Sequence, residues 1–184
     1  LARFLAGGLE ADFARLYGAL AATAPYQPET TQVARRRLRN LCLGYLNELD
    51  SVDYRALARR QFDGSDNMTD QFAALSVLAN APGEEGEAAL AAFYERWQNE
   101  ALVVDKWLSV QSSSRLPGTL ARVERLTAHP AFDLKNPNKV YALIRTFGAN
   151  HRHFHAADGA GYRFLAAQIA QLDSLNPQVA ARLA

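Results

Sequence analysis

The stretch NPNKVYALIRTF, residues 136–147, shows most directly how this chain folds. Asn136 can accept a hydrogen bond from the free backbone amides of a helix start, and Pro137 suits the first helical position, where a missing N–H costs no bond. Apolar residues then recur at the short intervals that place them on one side of a helix. They are Val140, Leu143, Ile144 and Phe147. The stretch predicts a capped helix with one inward face.

The same organisation extends outward over the rest of the chain. A second pair, Asn176-Pro177, predicts another helix start, and Asp158 is the expected N-cap of the preceding helix. We predict about ten helices, the first from Ala2 to Ala22, separated by turns rich in Gly, Pro, Asn and Ser. Residues expected to face inward include Leu9, Leu38, Leu41, Leu102 and Tyr162.

This helical pattern decides the predicted fold class. No segment alternates apolar and polar residues as a half-buried strand would, and no heptad repeat is long enough for a coiled coil. A chain of 184 residues lies within the size range of one domain. We therefore predict an all-α fold, an α-solenoid of antiparallel helix pairs forming a HEAT-like or armadillo-like superhelix, as a single domain over residues 1–184.

Charge and hydropathy argue against several classes of function. The 20 basic and 19 acidic side chains nearly cancel, which favours no nucleic-acid surface. No apolar run approaches the roughly 18 residues needed to span a bilayer, and the first residues lack the pattern of a signal peptide. The single cysteine, Cys42, is expected to be a small core residue. We expect a cytoplasmic protein that binds neither nucleic acid nor membrane.

The densest run of basic residues does not indicate a particular function. It comprises Arg35, Arg36, Arg37 and Arg39. Consecutive positions spread around a helix, and acidic residues follow closely, so a solvated or salt-bridged face is the favoured interpretation.

A group of histidines near the end of the chain has the residue types of a zinc site but not its spacing. The group is His151, His153 and His155, followed by Asp158. Alternate positions share one face only on a strand, and a helix is expected here. We therefore predict no metal site in this chain.

Six short blocks of sequence carry a resemblance to a known family. They are RRLRNLCL (36–43), NMTD (67–70), LVVDKW (102–107), NPNK (136–139), FHAADGAGY (154–162) and NPQVAARL (176–183). In this order they resemble the C-terminal helical domain of the bacterial aminopeptidase N family, the zinc alanyl aminopeptidases. Several blocks in register are more specific than any single short motif.

The resemblance implies a division of labour. It implies an α-solenoid that caps the active site of a larger enzyme and restricts entry to peptide N-termini. It also implies that this chain is a fragment of that enzyme, truncated at both ends. The family's H-E-x-x-H and Gly-x-Met-Glu-Asn motifs are absent from this sequence. Catalytic residues and zinc are therefore expected in the missing catalytic domain of the same polypeptide, which would be this chain's partner together with peptide substrates.

The resemblance also assigns candidate substrate-binding residues. Arg182 matches a family arginine that faces the enclosed cavity, where a guanidinium can hold the carboxylate or the carbonyls of a peptide. A second family arginine is replaced by Tyr141, and Lys139 offers a nearby positive charge. An ordinary surface arginine is the competing interpretation of Arg182.

Two other functions stay open from the sequence alone. One is a free-standing helical-repeat scaffold that binds a protein on a concave face. The other is a small metalloprotein that uses the histidine group. An upstream H-E-x-x-H in the same reading frame would favour the enzyme, whereas stoichiometric zinc in the purified chain would favour the metalloprotein.

Overall fold

The structure is a computed structural model that describes residues 1–22 and 24–184, and all regular elements in that part are helical. The prediction of an all-α fold is confirmed. The helices are α1 Ala2–Gly8, α2 Glu10–Ala19, α3 Thr30–Asn47, α4 Val52–Gly64, α5 Met68–Leu78, α6 Glu84–Trp97, α7 Ala101–Ser112, α8 Thr119–Thr127, α9 Pro137–Val140, α10 Thr146–Gly148, α11 His151–Phe154, α12 Ala160–Asp173 and α13 Pro177–Leu183, with a π-helical turn at Tyr141–Arg145.

The chain divides into two compact units, Leu1–Ala89 and Leu90–Ala184. The single domain over residues 1–184 stays a prediction. None of the helices among the described residues is long and apolar enough to cross a bilayer.

Both Asn-Pro pairs begin helices, as the sequence predicts. The Asn136 side chain accepts from the backbone N–H of Asn138 at 3.0 Å, and Pro137 opens α9. The Asn176 side chain accepts from Val179 at 3.1 Å, and Pro177 opens α13. These bonds satisfy amides that a helix start leaves without an intrahelical partner.

In the first unit, α2 and α3 form an antiparallel pair. Arg35 near the start of α3 donates to the carbonyl of Leu20 at 3.1 Å, and Tyr45 near its end stacks on Phe13 with ring centroids 4.8 Å apart. The unit's core contains Cys42, whose thiol pKa is raised by burial. The prediction that Cys42 is a core residue is confirmed.

In the second unit, α7 runs in the same direction as the segment from α9 to α10, and α8 connects them. Ser109 donates to the carbonyl of Ala142 at 3.1 Å, and further along both segments Asn150 donates to the carbonyl of Ser112 at 3.0 Å. The four apolar residues predicted to face inward around the π turn are all 0 % exposed. They are Val140, Leu143, Ile144 and Phe147.

Five residues predicted to face inward are instead exposed. They are Leu9, Leu38, Leu41, Leu102 and Tyr162, with between 41 % and 71 % of their surface accessible. In α12 the buried positions are Gly161, Phe164, Gln168 and Leu172; the first three lie one residue before the predicted face, whereas Leu172 lies on it. The reason is a close approach: a Cβ on Gly161 would lie 2.3 Å from the carbonyl oxygen of Phe154, so the helix packs on its glycine.

Two predicted helix boundaries also differ. The first helix is interrupted at Leu9, whose φ of −122° leaves the helical region. The N-cap of α12 is Gly159, with φ of 70°, and not Asp158. Asp158 contributes from one residue earlier, where its carboxylate accepts from the backbone N–H of Ala160 at 2.9 Å.

Candidate substrate-binding site

Arg182 lies at the exposed end of a short, well-anchored helix. Its helix, α13, is fixed at its start by the Asn176 cap and packs through Val179 and Ala180, which are buried. Arg182 follows in the last turn, and its side chain faces solvent. The sequence thus places an exposed cationic group on a capped and packed helix.

Tyr141 lies in the π-helical turn, which is an unusual backbone arrangement often found at functional sites. Side-chain hydroxyls support this turn: Thr146 donates to the carbonyl of Tyr141 at 3.1 Å, and Ser109 donates to the carbonyl of Ala142. These bonds satisfy carbonyls in a turn that departs from the ordinary helical hydrogen-bond pattern. The turn is therefore stabilised by one hydroxyl from the residue after it and by one from α7.

The fold brings Arg182 and Tyr141 together from positions 41 residues apart. The Arg182 guanidinium lies 3.5 Å from the Tyr141 hydroxyl, at the outer limit of a hydrogen bond. The guanidinium carbon of Arg145 lies 5.7 Å from the centre of the Tyr141 ring, within cation–π range. We call Tyr141, Arg145 and Arg182 the arginine–tyrosine cluster.

Sequence reasoning missed Arg145. The available signal was its position four residues after Tyr141, which puts both side chains about one turn apart on a helix. The two side chains are still neighbours in the π turn, but no sequence pattern predicted the turn itself.

Lys139, in contrast, is buried and already engaged. Its ammonium lies 2.8 Å from an Asp105 carboxylate oxygen and donates to the carbonyl of Ala101 at 3.0 Å. Only 8 % of the residue is exposed. The substrate contact of Lys139 stays a prediction, and in the structure its charge is compensated inside the unit by Asp105.

The cluster has the electrostatics of an anion site. Among the described residues, no carboxylate lies within ion-pair distance of Arg145 or Arg182, and both side chains are exposed. A guanidinium is charged at every physiological pH and presents a planar fork of donors. The arrangement can hold a carboxylate or peptide carbonyls.

The basic run of α3 is used differently from the predicted salt-bridged face. Arg35 donates to the carbonyls of Leu20 and Ala21, and Arg36 donates to Gln32 at 3.0 Å. Arg36 and Arg39 also lie over aromatic rings, at 4.7 and 4.2 Å from the ring centres. These three arginines are half-buried and contact carbonyls, amides and rings, which differs from the salt-bridged alternative, whereas Arg37 is exposed, in keeping with the solvated one.

The histidine group does not assemble into a metal centre in the part of the chain that is described. No three His, Cys, Asp or Glu side chains there come together as metal ligands. The His151 and His155 rings lie 5.6 Å apart, and His155 Nδ1 instead pairs with the Tyr162 hydroxyl at 2.5 Å. The structure thus gives the metalloprotein alternative no support.

Comparison with known proteins places the chain in a family. The model of a domain of unknown function described as DUF3458_C ARM repeats matches residues 1–184. The chain is 38 % identical to aminopeptidase N of Haemophilus influenzae over 97 % of its own length and 20 % of the relative's. It is also 38 % identical to aminopeptidase N of Escherichia coli K12, over 100 % of this chain and 21 % of the relative.

A solved structure agrees with this assignment. The crystal structure of Legionella pneumophila aminopeptidase A in complex with aspartic acid superposes with a TM-score of 0.90 at 35 % identity, covering 99 % of this chain and 22 % of that one. The ARM-repeat description confirms the predicted α-solenoid class. The chain spans about a fifth of the length of the curated relatives it matches. It belongs to the DUF3458_C ARM-repeat family, as the counterpart of the C-terminal helical domain of bacterial aminopeptidase N.

Proposed function

We propose that this chain is the C-terminal α-solenoid domain of a zinc-dependent aminopeptidase that removes N-terminal residues from peptides in the cytoplasm. One observation carries the proposal: nearly the whole chain aligns with about a fifth of aminopeptidase N from separate bacteria. A segment matched in this way works as part of the larger enzyme.

The domain contributes no metal chemistry of its own. Its sequence lacks H-E-x-x-H, the helical motif in which two histidines hold zinc and a glutamate activates water. The described residues also contain no grouping of ligands that fits a metal. Zinc and the catalytic base therefore belong to the rest of the polypeptide.

The role of the domain is to cap the active site and restrict what enters it. A helical wall around the site admits a peptide end and excludes a folded chain, and it keeps bulk water from the reaction. Arg182 contributes binding from this wall, because its guanidinium can donate two parallel hydrogen bonds to a carboxylate or bond to peptide carbonyls. Its single weak hydrogen bond among the described residues, to Tyr141, leaves those donors available.

The enzyme assignment is tested with the parent open reading frame. The complete protein is expected to release alanine from an alanyl amide and to lose this activity with a metal chelator, whereas residues 1–184 alone release none. A reading frame without H-E-x-x-H, or hydrolysis by residues 1–184 alone, would contradict the proposal and favour the scaffold or another enzyme.

The role of Arg182 is tested by Arg182→Ala in the complete enzyme. Loss of a charged hydrogen bond is expected to lower kcat/KM for a tetrapeptide about tenfold, and for a small alanyl amide less than about twofold. Arg125→Ala is the matched control, because Arg125 is an exposed arginine of α8 outside the cluster. Equal losses for peptide and amide substrates count against the role.

A further inference from the structure

We propose that Arg145 is a second substrate-contacting residue, and that the arginine–tyrosine cluster binds the C-terminal carboxylate of a short peptide. The inference rests on the proposed function for the identity of the peptide, but its geometry stands on the cluster alone. It deepens that function by naming the substrate class: short peptides with a free C-terminus.

Arg145 and Arg182 come from separate helical segments and converge on one tyrosine, one at the ring and one at the hydroxyl. The π turn that carries Tyr141 and Arg145 is held by hydroxyl-to-carbonyl bonds from Thr146 and Ser109. These bonds hold the carbonyls of Tyr141 and Ala142 in the same turn that carries Arg145.

Two permanently positive guanidiniums are held around one phenol, and neither has a carboxylate partner among the described residues. Like charges brought together repel each other, and an arriving anion relieves that repulsion. The nearby ammonium of Lys139 is neutralised by Asp105, so these two arginines carry the uncompensated charge.

A carboxylate has two coplanar acceptor oxygens that match the fork of a guanidinium, and a second guanidinium and the Tyr141 hydroxyl can supply further donors. A peptide carbonyl carries no net charge and needs only one such donor. Two arginines around one tyrosine therefore fit a terminal carboxylate better than an internal peptide group.

Binding by the chain itself is the first test. Acetyl-trialanine, which carries a free carboxylate, is titrated into residues 1–184 by NMR alongside the same peptide with a C-terminal amide. We expect the carboxylate form to bind about tenfold more tightly, consistent with one added charged hydrogen bond. Arg145→Gln should remove most of this preference, and Arg145→Lys should restore part of it because the charge returns without the fork.

Controls separate the site from general electrostatics. Arg125→Gln makes the same charge change at an exposed position outside the cluster, and it should leave the preference intact. An equal loss in Arg125→Gln, no loss in Arg145→Gln, or binding of inorganic phosphate as tight as that of the peptide would overturn the proposal.

The complete enzyme supplies the second test and separates the two hypotheses. If it is an aminopeptidase, Arg145→Gln should lower kcat/KM for trialanine about tenfold while trialanine amide changes less than about twofold. An active enzyme with equal changes for both peptides overturns the carboxylate site and leaves the proposed function standing. If residues 1–184 bind the carboxylate peptide more tightly but the complete protein has no aminopeptidase activity, the carboxylate site is supported and the proposed function is contradicted.

Discussion

In the first unit, Arg39 lies over the ring of Tyr17 at 4.2 Å and donates to Gln61 at 2.9 Å, whereas in the second unit Arg182 faces solvent with one contact at 3.5 Å. Both are arginines beside a tyrosine. The difference lies in what else surrounds them, and it separates a structural arginine from one that can bind a ligand.

Arg39 belongs to a polar network within the first unit. Gln61 donates to Asn40 at 2.7 Å, and Asn40 donates to the Asp70 carboxylate at 2.8 Å. Tyr17 also donates to Gln61, at 3.0 Å. Because buried polar groups are costly when unpaired, these bonds are expected to stabilise the folded first unit.

Among the described residues, the arginine–tyrosine cluster of the second unit has no comparable network of side-chain amides and carboxylates around its guanidiniums. Its guanidiniums are exposed, so leaving them unpaired costs little in the folded protein because water solvates them. Their donors are available to a ligand. The comparison teaches that partners and burial, and not residue type, decide which arginines are candidates for function.

The largest effect that would break this comparison is expected from Asp70→Ala. Asp70 is 7 % exposed and accepts from both Asn40 and Asn67, so its loss removes the acceptor of the Asn40 amide and one of the two acceptors of the Asn67 amide. We expect the free energy of unfolding to fall by about 2–4 kcal/mol, measured by chemical denaturation. Asp63→Ala removes an exposed carboxylate paired with Arg59 and should cost less than about 0.5 kcal/mol. Equal costs would mean that the network is not structural.

A smaller effect is expected at Lys139 and sharpens the contrast within the second unit. Lys139→Met leaves the Asp105 carboxylate without its 2.8 Å partner and should lower the free energy of unfolding by about 2 kcal/mol. Adding Asp105→Leu should recover much of that loss, because no charge is then left unpaired. Peptide selectivity in the complete enzyme should not change. A selectivity change as large as that of Arg182→Ala would return Lys139 to the substrate site.

The smallest effect is expected from Tyr17→Phe, which removes one hydroxyl from the network. The lost bond to Gln61 should cost about 1 kcal/mol at neutral pH, measured by denaturation.

The same variant carries a pH signature. Burial raises the pKa of Tyr17 above its ordinary value of 10.0, so the unfolded chain loses this proton first as pH rises. The wild-type protein therefore loses stability as pH rises above about 10, and Tyr17→Phe should lose less over that window. Parallel alkaline profiles for the two proteins would show that Tyr17 ionises as easily folded as unfolded.

The sequence predicted much of the fold because its signals act locally. Asn176 caps α13 through a bond to a residue three positions away, and the inward positions around the π turn follow helical periodicity. Helical periodicity predicted the wrong inward-facing residues where several apolar positions compete for one face of the helix. Tyr162 is an example: the close approach of Gly161 to Phe154 rotates α12 so that the tyrosine faces outward.

The candidate site was only partly predictable. The resemblance named Arg182 and Tyr141, but it also named Lys139, which the fold uses for an internal ion pair. For Arg145 the sequence offered only its spacing of four residues from Tyr141, because its importance comes from a π turn and from an arginine in another helix. Contacts of this kind depend on packing between distant segments.

By itself, the sequence determined the helical class, the Asn-Pro helix starts and the family, because capping and periodicity depend on residues a few positions apart. The tertiary structure alone decided that Arg182 meets a tyrosine 41 residues away and that Lys139 is bonded to a carbonyl 38 residues away. The physical reason is that a charged side chain acquires its role from the groups that packing brings within hydrogen-bond distance, and those groups are not its neighbours in the chain.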